Sequence, residues 1–374
     1  MSYSIEEAKE LVIRAGKELL ESGLIARTWG NISARISPTQ CVVSPSGKAY
    51  DSLTPDDIVV INIADGKAAD PENKVKPSSE KGVHAAAYRL RPDVNFVIHT
   101  HQDYATDMSI LGRQFHIGNV NPQIKKRLGP FIPTAHYALS STKTLEKNVS
   151  SAIYQFPQAR SILMRNHGTL CMGADYQDAF EIAHALEKVC RMKYKQTVLV
   201  DFPDEADEVI HLSDYATVLH REIHEEYDRH YLTFENEQVG CVIEAATPFI
   251  TKMSSYGENM QVYVDDLAQI AGTKIRCLPE NADEKQIARA LSGVCSAVLI
   301  KGKGAVCTGG DYEDAEAVMM VLDKGCQAAL LARSIKASGD SRKAKPVSKA
   351  DGALEHFFYT KKYSKLKNQE EKSC

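Results

Sequence analysis

The sequence predicts a tandem α/β protein with a mixed or antiparallel central sheet in each half, the second half being a shortened copy of the first. Two kinds of patterning alternate along the chain: short apolar runs such as Ile58–Ile63 and Asn95–Thr100, and amphipathic stretches such as Ser4–Gly23 and Asp175–Lys195. The stretch from Ser161 recurs from Ala297 at a constant offset of 136 residues. Leu163, Gly168, Cys171, Gly173, Asp175, Tyr176, Asp178, Ala179, Leu186 and Cys190 all meet identical partners, the last being Cys326. The length, 374 residues, suits two domains, and a 43% apolar composition is enough to fill two cores. The expected divisions are residues 1–200, residues 201–334, and a basic flexible tail over 335–374 with a short amphipathic piece around Ala353–Tyr363; in the tail ten Lys/Arg stand against five Asp/Glu.

Ser4–Gly23 carries Ile5, Ala8, Leu11, Val12, Ala15 and Leu19 on one helical face, and Gly23 stops it. A Gly30-Asn31 turn leads into a strand, and Cys41–Val43 is a second strand that runs into the Ser44-Pro45-Ser46-Gly47 turn. Both turns present backbone N–H groups beside small polar side chains, the equipment for holding an anion. After the strand Ile58–Ile63 and a polar loop over Lys67–Pro77, Ser78 and Ser79 precede an Ala-rich helix running to Leu90. Glu80 falls in its first turn, with His84 one turn later. Ala105–Leu111 reads as helix, Gln114–Pro133 as a long loop and Ser141–Glu146 as a helix start. Ala159–Leu170 is a strand ending on His167.

Alternate residues of a strand share a face, so His99 and His101, at the end of the Asn95 strand, project together while Thr100 faces away. Two imidazoles on one face can supply half of a tetrahedral metal shell. His220, His224 and His230 fall in a polar stretch read as a solvated helix face. The spacing there does not complete HExxH, because Asp228 stands where the second histidine belongs.

Charge is nearly balanced, 45 Lys+Arg against 49 Asp+Glu, which argues against nucleic acid as the main partner. The N-terminus is a charged helix start with no secretory pattern, and no apolar run reaches membrane-spanning length. Nine cysteines without C-x-x-C pairing read as reduced thiols of a cytoplasmic protein.

Taken together, T-x-G-N-x-S at Thr28, S-P-S-G at Ser44, P-S-S-E at Pro77, H-T-H at His99 and N-H-G at Asn166 resemble the class II aldolase/adducin family, and most resemble its fuculose-1-phosphate aldolase-like members. The resemblance covers about residues 5 to 195. It implies a three-layer α/β/α domain with a mainly antiparallel central sheet, and a zinc ion, or another divalent metal, on His99, His101 and His167. It implies Glu80 as catalytic general acid/base, and Gly30, Asn31, Ser46, Gly47, Ser78 and Ser79 as the holders of the substrate phosphate. The implied activity is an aldolase (a lyase) that cleaves or forms a carbon–carbon bond of a phosphorylated ketose, giving dihydroxyacetone phosphate and an aldehyde. Within the family, a sugar-phosphate dehydratase, decarboxylase or epimerase is the alternative. An adducin-like, non-catalytic structural protein is the alternative of another class. The implied assembly is a homo-oligomer with the site near a domain or subunit interface.

Two features depart from the pattern. The aldolase tyrosine downstream of H-x-H has no counterpart in Phe115–Gln123, which leaves Tyr137 as the candidate substitute. Trp29 is bulky where the family has a small residue. In the repeat, His167 is replaced by Lys303 and no H-x-H or S-S-E lies upstream, so the second half is expected to be a metal-free copy.

Overall fold

The computed structural model describes residues 2–25, 29–198, 216–220, 239–291, 295–339 and 344–370. Thr28, His224 and His230, singled out from the sequence, lie outside these. The chain divides into two compact units, residues 1–196 and 197–374.

Unit 1 begins with helix α1 (Ile5–Glu21), whose first turn is capped by Ser4 Oγ accepting from Glu7 N at 3.2 Å. Strands β1 (Gly30–Arg35), β2 (Gln40–Val43) and β3 (Val59–Asn62) follow, then α2 (Lys81–Leu90) and β4 (Phe96–Thr100). The middle of the unit holds α3 (Asp103–Ser109), β5 (Phe115–His116), α4 (Pro122–Leu128), β6 (Phe131–Ile132) and β7 (Thr134–Ala135). It closes with α5 (Lys143–Gln155), β8 (Ser161–Met164), β9 (Gly168–Gly173) and α6 (Tyr176–Thr197). Seven strands form one sheet in the order β3-β2-β1-β4-β9-β8-β7, antiparallel throughout except for the parallel pair β7–β8.

Period-2 alternation splits the strand residues between two helical layers. Val43, Val97, Leu170 and Met172 pack with Val83, Ala87 and Tyr88 of α2 and with Leu145, Val149 and Ile153 of α5. The opposite face carries α1 on β1 and β2 and α3 on β8 and β9, with Tyr176 of α6 edge-on to Phe96. The unit is therefore a three-layer α/β/α domain.

Unit 2 contains β10 (Ala216–His220), β11 (Cys241–Ala245), α7 (Pro248–Ser255), β12 (Met260–Gln261), α8 (Asp265–Ala271), β13 (Lys274–Leu278), α9 (Glu284–Ala290), β14 (Ala297–Ile300), β15 (Gly304–Gly309), α10 (Tyr312–Ala337) and α11 (Lys349–Glu370). Its sheet order is β10-β11-β15-β14-β13-β12, again with one parallel pair, β13–β14. The run β10-β11-β15-β14-β13 repeats β1-β4-β9-β8-β7 in order and direction. Register repeats as well: Thr100 faces Thr169 and Ala245 faces Ala305, while Phe96 faces Gly173 and Cys241 faces Gly309.

Several local expectations change. His220 lies in β10 and not in a helix, because β11 offers an edge that converts the Ala-Thr-Val-Leu run to strand. Gln114–Pro133 is not one loop: Asn121 caps α4 through Gln123 N at 2.8 Å, and β5 pairs with β6. Residues 335–374, expected as a flexible tail, instead include the last turn of α10 and the helix α11. That helix is anchored because Gly352 seats against Thr273 and Ala268, and buried Glu355 accepts from Gln269 Nε2 at 3.2 Å. Overall composition does not register such spaced contacts. The Ser78-Ser79 pair precedes α2 without capping it; Glu80 occupies the N-cap position, and its side chain makes no cap hydrogen bond there.

Gly173 and its repeat partner Gly309 are retained for space. A Cβ on Gly173 would lie 2.4 Å from Ala179 N, and one on Gly309 would lie 2.2 Å from Ala315 N, because each strand end runs into the first turn of the following long helix. Gly173→Ala should destabilise unit 1, and Gly309→Ala unit 2, by about 1–3 kcal/mol each. Denaturant unfolding followed by circular dichroism measures this, and unchanged midpoints would count against the close approach.

Candidate metal and acid–base centre

On β4, Val97 points into the layer of α2 and α5, so His99, two residues on, faces the same way at the strand's end and His101 follows it. The third imidazole comes from the β8–β9 turn. His167 N donates to Met164 O at 3.0 Å, and Asn166 holds the left-handed conformation (φ 61°) with its N–H on Ser109 Oγ at 3.0 Å. Gly168 lets the turn come in. A Cβ there would lie 2.5 Å from Thr100 O and 3.1 Å from both the His99 and His101 rings.

The ligand atoms of His99, His101 and His167 all lie within 4.8 Å of one another, and His99 Nε2 is 3.0 Å from His101 Nε2. Two nitrogens on one tetrahedral zinc would be about 3.3 Å apart, given bonds of about 2.0–2.1 Å. His99 Nδ1 is 2.7 Å from the carbonyl of Thr169, which can only accept, so Nδ1 carries the hydrogen and Nε2 turns its lone pair inward. That lone pair meets Glu80 Oε2 at 2.9 Å as well as His101 Nε2. Such a convergence of acceptors is repulsive unless a cation or proton lies among them, and the donor set therefore fits a divalent metal.

Glu80 sits at the start of α2 with its second oxygen 3.1 Å from His167 Nε2. Oε1 also accepts from Ser141 N at 3.3 Å, and Oε2 accepts from Asn31 Nδ2 at 3.4 Å. Burial alone would raise its pKa, but His167 and His99 more than reverse that, and the carboxyl is held well below its ordinary range. Beside it opens a cleft of about 120 Å³ lined by Ser79, Lys81, Ser141, Thr142 and Lys143 among others.

The sequence-selected anion residues also converge. The Ser44–Gly47 turn is tied to the segment before α2 by Ser46 N donating to Lys76 O at 2.9 Å and Ser78 N donating to Ser44 O at 3.0 Å. Gly47 has φ 75° and Gly30 φ 129°; a Cβ on Gly30 would strike His99 O at 2.7 Å. Ser79 is exposed, Ser78 Oγ accepts from Glu80 N at 3.2 Å, and Asn31 is buried against Glu80. Tyr137 is half-buried beyond β7, with its carbonyl accepting from Asn148 Nδ2 at 3.2 Å. His84, buried behind Asn31, was picked out only for its position. Burial, with His99 adding to it, drives its pKa down to about 3 against the pull of Glu80, so the ring is neutral.

The family model of the Class II Aldolase and Adducin N-terminal domain matches residues 10–194 and again residues 191–330. The chain belongs to this family. Its two matched segments correspond to the two sheets. Among family relatives, a 5-deoxy-D-ribulose 1-phosphate aldolase of Bacillus thuringiensis is 32% identical over 53% of this chain and 89% of its own. An L-fuculose phosphate aldolase of Escherichia coli (strain K12) is 33% identical over 50% of this chain and 81% of its own. An L-ribulose-5-phosphate 4-epimerase of Salmonella paratyphi B is 29% identical over 51% and 85%. A solved L-fuculose 1-phosphate aldolase is 29% identical, covers 55% of this chain and 93% of its own, and has a TM-score of 0.47. In the second family segment, the positions that match His99, His101 and His167 in register hold Glu244, Ala246 and Lys303. Among the described residues, no helix is long and apolar enough to cross a membrane.

The turn after His101 is pinned by Glu187 of α6, a residue the sequence did not single out. Its carboxylate accepts from Tyr104 N at 2.8 Å, Ala105 N at 3.0 Å and Gln102 Nε2 at 3.2 Å. Burial, with Asp103 adding to it, outweighs those donors and pushes its pKa up from 4.5 to about 7. Between these two values the folded chain keeps a proton that the unfolded chain has released, so this group's contribution is present at low pH and lost as pH rises to about 7. The loss amounts to about 3 kcal/mol over the window. Denaturation midpoints taken across pH 4.5–7 should fall more steeply in the wild type than in Glu187→Gln, and parallel curves would refute the assignment.

Proposed function

We propose that residues 1–196 form a metal-dependent aldolase, a lyase that cleaves or forms a carbon–carbon bond of a phosphorylated ketose, with dihydroxyacetone phosphate and an aldehyde as the two halves. The observation that carries this reading is the Glu80 carboxylate set directly against His99 and His167, with His101 completing a group of three imidazoles. Relatives named as aldolases of deoxyribulose and fuculose phosphates support it. A divalent ion such as Zn2+, held by His99, His101 and His167, would supply Lewis-acid polarisation of the ketose carbonyl and its neighbouring hydroxyl.

The protein's own groups supply the rest. Glu80 is the group that takes up and returns the proton at the ketose carbon whose bond breaks; its burial keeps bulk water from competing for that proton. Its donors, Ser141 N and Asn31 Nδ2, hold both oxygens in place. Gly30, Asn31, Ser46, Gly47, Ser78 and Ser79 are proposed to hold the phosphate, with Lys81 and Lys143 drawing the anion into the cleft. Tyr137 remains the candidate for the aldehyde side. We read unit 2 as a partner domain without its own metal, since Glu244, Ala246 and Lys303 replace the histidines. The eight described cysteines are free, which fits a cytoplasmic protein, and a homo-oligomer belongs to the same reading.

Purified protein supplied with zinc should carry about one ion per chain by mass spectrometry of metals, and His101→Ala should lose it. Glu80→Gln should keep the ion and lose at least about a hundredfold in kcat on ketose phosphates. A wild type that takes up no metal would end the enzyme reading.

A further inference from the structure

Helix α2 meets strand β1 along a polar stripe that runs from Glu80 and Asn31 away from the centre. Glu80, His84 and Tyr88 recur every four residues on the helix; Asn31, Ser33 and Arg35 recur every two on the strand. Four helical residues rise about 6 Å and two strand residues about 6.8 Å, so the two rows stay in step. Each rung is bonded: Asn31 Nδ2 to Glu80 Oε2 at 3.4 Å, Asn31 Oδ1 to His84 Nε2, His84 Nδ1 to Ser33 Oγ at 2.7 Å, and Ser33 Oγ to Tyr88 Oη at 2.8 Å. Arg35 closes the far end, donating to Tyr88 O at 2.8 Å with its guanidinium 4.7 Å from the Tyr88 ring centre. All of these side chains are buried.

Donor and acceptor chemistry gives the row one direction. A carboxylate oxygen accepts, so Asn31 presents its NH2 to Glu80 and its carbonyl oxygen to His84. That oxygen also only accepts, so the hydrogen of His84 is on Nε2 and Nδ1 is an acceptor. Ser33 must then donate to Nδ1, and its oxygen is left to accept from the Tyr88 hydroxyl. The bonds run Tyr88 to Ser33 to His84 to Asn31 to Glu80, each donating toward the carboxylate, and bonds so aligned polarise one another.

We propose that Ser33, His84 and Tyr88 are positioning residues that hold the Asn31 amide in one orientation and thereby fix the Glu80 carboxylate for proton transfer. This rests on the reading of Glu80 as the proton-transfer group, and it gives the Asn31 side chain a role at Glu80 beside its proposed place at the phosphate.

The test uses the full-length, metal-loaded protein and two variants, Tyr88→Phe and Ser33→Ala, of which the first keeps the buried ring. Both should lower kcat by roughly tenfold or more while leaving KM for the ketose phosphate within about twofold. A loss expressed in KM alone would leave Asn31 with substrate binding only, and an unchanged kcat in both variants would also overturn the proposal. A second readout does not depend on activity. In 15N-histidine-labelled protein, long-range proton–nitrogen spectra should show wild-type His84 hydrogenated at Nε2, and hydrogen on Nδ1 would reverse the row and refute it. Should wild type turn over no ketose phosphate, the aldolase reading fails, while the tautomer still decides the direction of the row.

Discussion

A carboxylate taken out of water is costly unless charge and donors meet it, and the whole of unit 1 is arranged around meeting that demand at Glu80. Imidazoles from β4 and from the β8–β9 turn approach one side, and a backbone N–H from the loop before α5 and an amide from β1 approach the others. None of these groups is near Glu80 in sequence. The sheet order, which puts β1 and β9 on either side of β4, brings them together. The glycines at 30 and 168 then let backbones close to within a distance that no side chain would allow.

The same demand explains why the layer behind Glu80 is polar where a core is ordinarily apolar. Asn31, Ser33, His84 and Tyr88 are all buried, and each side chain has a hydrogen-bond partner from the opposing element. Satisfied in this way, a buried polar row costs little and specifies one geometry, whereas a single missing partner would leave a donor or acceptor stranded in low dielectric. The row depends on α2 and β1 running in step.

Comparison of the two units separates what the fold needs from what the centre needs. Gly173 and Gly309 persist because each faces the first turn of a long helix, and the β8–β9 turn recurs with Asn166 and Gly302 both in the left-handed region. His167 N and Lys303 N even donate to matching carbonyls, Met164 O and Ile300 O, at 3.0 Å. The backbone is thus preserved while the side chains at the three histidine positions are not. Fold and histidine set are separable here: the described residues of unit 2 keep the strand order and the turn of unit 1 without the three imidazoles.

Much of this was legible in the sequence. Patterning and repeat identified two α/β units, and the spacing of His99 and His101 put both on one strand face because strand geometry is local. The converging turns at Ser44 and Ser78, and the family they resemble, followed from motifs read together. What the sequence left open was decided over distance. The pairing of β10 with β11 made a strand of the residues around His220. Docking against α8 made a helix of residues 349–370, where composition suggested a flexible tail. Glu187 gave no sign in its own helix, because its role lies in capping a turn more than eighty residues away. The stripes at 31, 33, 35 and 80, 84, 88 are visible once one knows that α2 lies on β1. Periodicity within an element is a property of the chain, but which two elements face each other is set by the sheet order and by burial.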